Sequence, residues 1–200
     1  MKLLISFLVS IVSSQDMKKF SAIVDMVNAK IETSLPYDTI AKRIQNYGCH
    51  CFPENSRSLI GYGNPVDALD QACQDLYRCY KCISLEGGDC DTDTGRYKYR
   101  INRKNEIVCR NSGCKQQQCL CDAEFAVNVG RVWNDETFNF YFWENKNNKN
   151  DIFSREETCI KNDGGIEADG CCGSVPFWVP YNKQTNECCY GNELKSIGSC

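Results

Sequence analysis

Histidine is nearly missing from these 200 residues: His50 is the only one. The sixteen cysteines include C-x-C and C-C pairs, and with one histidine they cannot form the combined C-x-x-C and H-x-x-H grid of a structural zinc centre. Zinc modules of that kind are excluded. There is no Asn-x-Ser/Thr sequon, so N-glycosylation is not expected. No basic cluster stands out: 23 Lys and Arg face 26 Asp and Glu, a formal net charge of −3. That balance argues against a nucleic-acid partner and against a cationic attack on anionic lipid. Past the first dozen residues, no apolar stretch approaches the length that spans a bilayer.

What is there begins with Met1-Lys-Leu-Leu-Ile-Ser-Phe-Leu-Val-Ser-Ile-Val12. One positive charge, an apolar run too short to span a membrane and then small residues read as a secretory signal over 1–15. Cleavage is expected between Ser13 and Asp16, leaving a mature chain at −4 (22 basic, 26 acidic). Sixteen cysteines agree, because that density persists as disulfides only in an oxidising compartment. The expected location is therefore secreted and extracellular.

Periodicity places the elements. Met17, Phe20, Ile23, Val24, Val27 and Ile31 recur at three- and four-residue spacing and predict an amphipathic helix over 16–35, ended by Pro36. A short helix follows over 37–46. Asn64 as N-cap, Pro65 and Asp67 predict the start of a central helix over 65–81. A partner helix is expected over 116–133 and a two-stranded hairpin near 97–108. Between 134 and 157, aromatics (Phe138, Phe140, Tyr141, Phe142, Trp143) alternate with the polar run Asn145-Lys-Asn-Asn-Lys-Asn150. Residues 160–200 read as a cysteine-rich tail too short to bury a core of its own.

Three stretches carry a resemblance. They are Tyr47-Gly-Cys49-His-Cys51, Gly61-Tyr-Gly-Asn-Pro-Val-Asp67-Ala-Leu-Asp70 and Cys73-Gln-Asp-Leu-Tyr-Arg-Cys79-Tyr80. In that order they resemble the secreted phospholipase A2 family, whose Y-G-C-x-C calcium loop precedes a helix D-x-C-C-x-x-H-D-x-C-Y. The resemblance covers roughly residues 16 to 159. It implies a mainly helical, disulfide-rich fold with two long antiparallel helices and a small β-hairpin. Registered on Asp70, Cys73, Cys79 and Tyr80, the family's catalytic histidine falls on Leu76 and its calcium-binding aspartate on Tyr77. A leucine has no lone pair to act as base, and a neutral phenol is a poor substitute for a bidentate carboxylate. The vestigial calcium loop, with His50, Phe52 and Glu54, has no glycine between Cys51 and Ile60 and contains a proline. No catalytic residue, no metal site and no cofactor are therefore expected; calcium enters only if the chain is an active enzyme with an unusual site. His50 is expected to be an exposed loop residue.

Cys119-Leu-Cys121-Asp122 resembles the family's C-x-C-D, which implies a residual network of Asp122 with Tyr80 and Tyr97. The favoured reading of that network is structural, since a buried carboxylate needs donors with or without catalysis. The resemblance also implies five bridges: Cys51–Cys73, Cys79–Cys121, Cys90–Cys114, Cys109–Cys119 and Cys49–Cys159. A sixth family bridge would end on Ala72 and near Asn128, neither of them cysteine. Cys82 and five tail cysteines remain, so the simplest closure joins Cys82 to one of the five. The tail, C-C-G…P-Y…C-C-x-G, looks like a galaxin-type repeat of extracellular matrix proteins. Three functions stay open: a non-enzymatic extracellular module binding a protein partner or matrix, a non-hydrolytic phospholipid-binding protein, or a calcium-dependent phospholipase A2.

Overall fold

The computed structural model describes residues 14–45, 47–51, 61, 63–86, 90, 97–133, 155–160, 167–190 and 192–200. The aromatic and polar stretch after Trp133, together with Phe52 and Glu54, lies outside the described residues.

Helix α1 (Ser14–Lys30) starts two residues before the expected one and stops five short of it. The side chain of Asn28 explains the early stop. Its Oδ1 accepts from the Leu35 N–H at 2.8 Å and its Nδ2 donates to the Leu35 carbonyl at 3.0 Å. That pairing draws 31–35 off the helix axis, with Glu32 in the left-handed region at φ 53°. The apolar stripe points inward: Phe20, Ile23, Val24 and Val27 are buried, and Met26 with them. Helix α2 (Tyr37–Ile44) follows Pro36 and buries Ile40, Ala41 and Ile44.

The central helix, α3 (Ala68–Glu86), begins three residues later than expected and runs five further. Its cap is Asp67, not Asn64. Asp67 Oδ1 accepts from the Asp70 N–H at 2.9 Å, and the Asp67 carbonyl takes the Gln71 N–H. Leu69, Ala72, Cys73, Leu76, Cys79, Tyr80 and Ile83 recur on one face and enter the core. Helix α4 (Gly113–Val132) packs along both α3 and α1. Cys79–Cys121 joins α3 to α4 with the Cα atoms 6.0 Å apart. Against α1 the approach is tight at Gly130, where a Cβ would lie 2.7 Å from that of Lys30.

Strands β1 (Tyr99–Ile101) and β2 (Ile107–Cys109) form an antiparallel hairpin, Tyr99 opposite Cys109 and Ile101 opposite Ile107. A single helical turn, α5 (Arg155–Thr158), precedes Cys159. The tail folds as two hairpins. One pairs β3 (Gly170–Cys172) with β4 (Val179–Tyr181); the other pairs β5 (Asn186–Cys188) with β6 (Leu194–Ser196). The first hairpin lies on α3, and Val175 and Trp178 pack against the main core.

Eight disulfides brace the described residues. Five are Cys49–Cys159, Cys51–Cys73, Cys79–Cys121, Cys90–Cys114 and Cys109–Cys119. Cys82–Cys171 ties the end of α3 to the tail, where Cys172–Cys188 and Cys189–Cys200 close locally. The mainly helical, disulfide-rich architecture matches the expected class. None of the described helices is long and apolar enough to cross a membrane.

Candidate functional site

Two buried carboxylates organise the centre of the molecule. Asp122, on α4, is fully buried and accepts hydrogen bonds from the Tyr80 hydroxyl of α3 and the Tyr97 hydroxyl ahead of β1. Three elements that are distant in sequence thus meet at one side chain. Burial, and then the charge of Asp122, push the Tyr97 phenol far above its ordinary range. The Tyr97 phenol therefore stays protonated and donates to Asp122. The next tyrosine, Tyr99, is raised by burial and by its bond to Asp25 Oδ2 at 2.9 Å.

Asp70 is the second carboxylate. It accepts backbone N–H groups from Cys49 at 2.8 Å, His50 at 2.6 Å and Val66 at 3.0 Å. Burial pushes its carboxyl above the usual range, and the N–H donors, Cys49 foremost, oppose that shift. The close approach is possible only beside glycine. Gly48 has φ +57°, and a Cβ there would lie 2.3 Å from the Asp70 carboxyl carbon. The Tyr47 hydroxyl donates to Asp67 Oδ2, one turn before Asp70. The start of α3 therefore grips the 47–51 turn through two adjacent acids.

His50 is buried, 4% exposed, which corrects the expectation of a surface loop residue. The backbone bond to Asp70 draws residue 50 inward, and the ring is enclosed. Its Nε2 lies 3.1 Å from the Gly63 carbonyl and 3.2 Å from the Gln74 amide nitrogen on α3. Leu76 is buried in the main core, and Tyr77 is half-buried on the same helix. The side chains of Phe52 and Glu54 lie outside the described residues.

Sequence reasoning missed two contacts here. The Tyr47–Asp67 bond had one available signal, the three-residue spacing of Asp67 and Asp70 that marks a helix cap. The Gln74–His50 pairing had none, because the partners stand 24 residues apart. Among the described residues, the one group of metal-ligating side chains is Glu187, Cys189 and Cys200. Both of those cysteines are consumed by one disulfide, so no thiolate is available there.

A cross-linked pair of long helices, closed by a buried aspartate that two tyrosines hold, defines a small disulfide-braced helical protein. The particular family follows from comparison. The sequence matches the phospholipase A2 family over residues 22–139, and the chain belongs to that family. It is 40% identical over 83 residues to the group IID secretory phospholipase A2 of Mus musculus, covering 40% of this chain and 51% of that protein. The basic phospholipase A2 homolog acutohaemolysin of Deinagkistrodon acutus is 36% identical over 81 residues, again 40% of this chain and 51% of the relative. A phospholipase A2 of Bos taurus is 33% identical over 111 residues, 52% of this chain and 72% of that one. The chain spans about half the length of the first two of these relatives.

Proposed function

We propose that this phospholipase A2-like protein is exported, does not hydrolyse phospholipid, and serves outside the cell as a structural or protein-binding module. One observation carries the reading. At the helix positions where the family resemblance puts a general base and a calcium carboxylate, α3 bears Leu76, packed into the core, and Tyr77. Ester hydrolysis by this fold needs a base to take a proton from water and a cation to stabilise the oxyanion. Leucine supplies no base. The donor set also does not fit calcium, a hard cation that prefers several oxygens including a carboxylate, since α3 offers a phenol in that place. The tyrosine–aspartate–tyrosine network is accounted for as the anchor of a buried charge and requires no catalytic role. Export is supported by the leader-like first residues, by eight disulfides and by the similarity to a secretory phospholipase A2.

Fatty-acid release from mixed micelles, with calcium and with chelator, tests the reading directly. The expected rate equals that of buffer in both arms. Calcium-dependent release that disappears on substitution within α3 would refute it. Recovering the exported protein and identifying what co-purifies addresses the partner. A protein or matrix component is expected, and lipid alone would favour a phospholipid-binding role instead.

A further inference from the structure

The eight bridges differ in how far a reductant can reach them. Reduction begins with a thiolate meeting a disulfide sulfur, so access decides which bridge opens first. Six of the eight contain at least one buried cysteine. A seventh, Cys90–Cys114, packs against the main core. Cys189–Cys200 alone has no buried cysteine and no place in or against that core: Cys189 is half-buried and Cys200 is exposed.

The same bridge closes the least supported strand among the described residues. Every residue of β6 is exposed, and so is every residue from 192 to 200. What holds the segment is polar. It has the short ladder to β5, the Ile197 N–H on the Thr185 carbonyl at 3.2 Å, and Glu187, whose carboxylate takes the N–H groups of Ser199 and Cys200. A lone two-stranded hairpin is marginal in water, because little apolar burial offsets the entropy of ordering it. The bridge supplies what burial does not. It joins residues 11 apart and restricts the disordered states open to the segment between them. The β3–β4 hairpin is different: Cys172 is buried, and the hairpin lies on α3. Opening Cys189–Cys200 therefore unlocks one hairpin and leaves the other, and the helical body, in place.

We propose that Cys189–Cys200 is the substrate site of an extracellular dithiol–disulfide oxidoreductase, and that its opening releases residues 190–200 as an unfolded arm. A thiolate of the reductant attacks the sulfur of Cys200, the more exposed of the pair. The bond to Cys189 breaks, and the Cys189 sulfur leaves with the electron pair and takes up a proton. The reductant's second thiol then displaces Cys200 from the mixed disulfide. The products are two thiols on this chain and one disulfide on the reductant, so two electrons have passed between them. The released arm carries Tyr190, Leu194 and Ile197, three of the exposed large apolar residues, together with two free thiols. The proposal adds a redox control to the module described above and rests on that reading for its extracellular location.

The test treats the oxidised full chain with thioredoxin and, separately, with dithiothreitol. Each reaction is quenched with acid, alkylated and mapped by mass spectrometry. A species with two labels should accumulate, one on Cys189 and one on Cys200, its bridge opening roughly tenfold or more faster than the next. In that species the amides of Ile197, Ser199 and Cys200 should lose their protection from hydrogen exchange, while those of α3 and α4 keep theirs. The variant Cys189→Ser/Cys200→Ser should show the same loss without reductant and give no early labelled species. The proposal is overturned if another bridge opens first, if several open together, or if none opens. It is equally overturned if dithiothreitol opens the bridge and thioredoxin does not, or if the three tail amides stay protected once it is open. Fatty-acid release is read on the untreated preparation. Hydrolysis there refutes the non-hydrolytic reading and leaves the order of reduction standing, and a different order of reduction leaves the non-hydrolytic reading standing.

Discussion

Removing one phenol takes from the buried Asp122 carboxylate one of its two tyrosine donors. Tyr97→Phe and Tyr80→Phe should each destabilise the protein by about 1–3 kcal/mol, the cost of an unsatisfied buried polar group. A double-mutant cycle in urea should give a non-zero coupling, because both hydroxyls serve the same carboxylate. Simple additivity would mean that the two bonds are independent and that the network is misread. Asp70→Ala is the more severe change. It deprives the N–H groups of Cys49, His50 and Val66 of their acceptor at once, and a loss of about 3 kcal/mol or more is expected. A midpoint shift below a third of that would show that water takes over the acceptor's place.

Individual elements differ in how well the sequence announced them. The α3 face was legible because apolar residues and cysteines recur at helical spacing, and its start was misplaced because Asn64-Pro65 imitates a cap that Asp67 supplies three residues on. The end of α1 was not legible, since the Asn28–Leu35 pairing is a side-chain bond that no periodicity encodes. His50 was misjudged for a related reason: its burial is imposed by the backbone bond to Asp70, 20 residues away. The tail hairpins make their own prediction. Glu187 accepts the N–H of Ser199 at 2.7 Å and of Cys200 at 2.8 Å, and these donors, Cys200 foremost, hold its carboxyl below the usual range. A carboxyl depressed in the folded state stabilises above its unfolded pKa, near 4.3, and that contribution disappears as the pH falls through the lower folded value. Protection of the Ser199 and Cys200 amides, taken relative to their intrinsic exchange rates at each pH, should therefore fall only in acid below the ordinary glutamate range. Glu187→Gln should abolish that pH dependence, and an unchanged profile in the variant would assign the effect to another group.

At the scale of the whole molecule, the tail is fastened to the helical body by Cys82–Cys171, 89 residues apart in sequence. The Lys81–Glu167 pair beside it is largely exposed on the glutamate side and should contribute under about 1 kcal/mol. Cys82→Ser/Cys171→Ser should cost about 4 kcal/mol in the loop-entropy account and make the stretch after Cys159 sensitive to limited proteolysis. A tail that stays protease-resistant would show that Val175 and Trp178 hold it by packing alone. The helical scaffold was legible in the sequence from Cys73, Cys79, Tyr80 and Asp122. The register of the β1–β2 hairpin was not, because Lys98 and Arg110 become neighbours only once the two strands pair.

The tail's bridges also have a mechanical consequence. Starting from residue 200, a covalent path crosses to Cys189, takes one peptide bond to Cys188 and crosses to Cys172. One more peptide bond leads to Cys171 and across to Cys82 in α3. Three sulfur crossings and two peptide bonds thus connect the far end of the chain to the central helix. Tension applied at residue 200 bypasses both tail hairpins and loads α3 almost without slack. Under oxidising conditions the tail is an inextensible tether, and only reduction would let its stored contour length pay out.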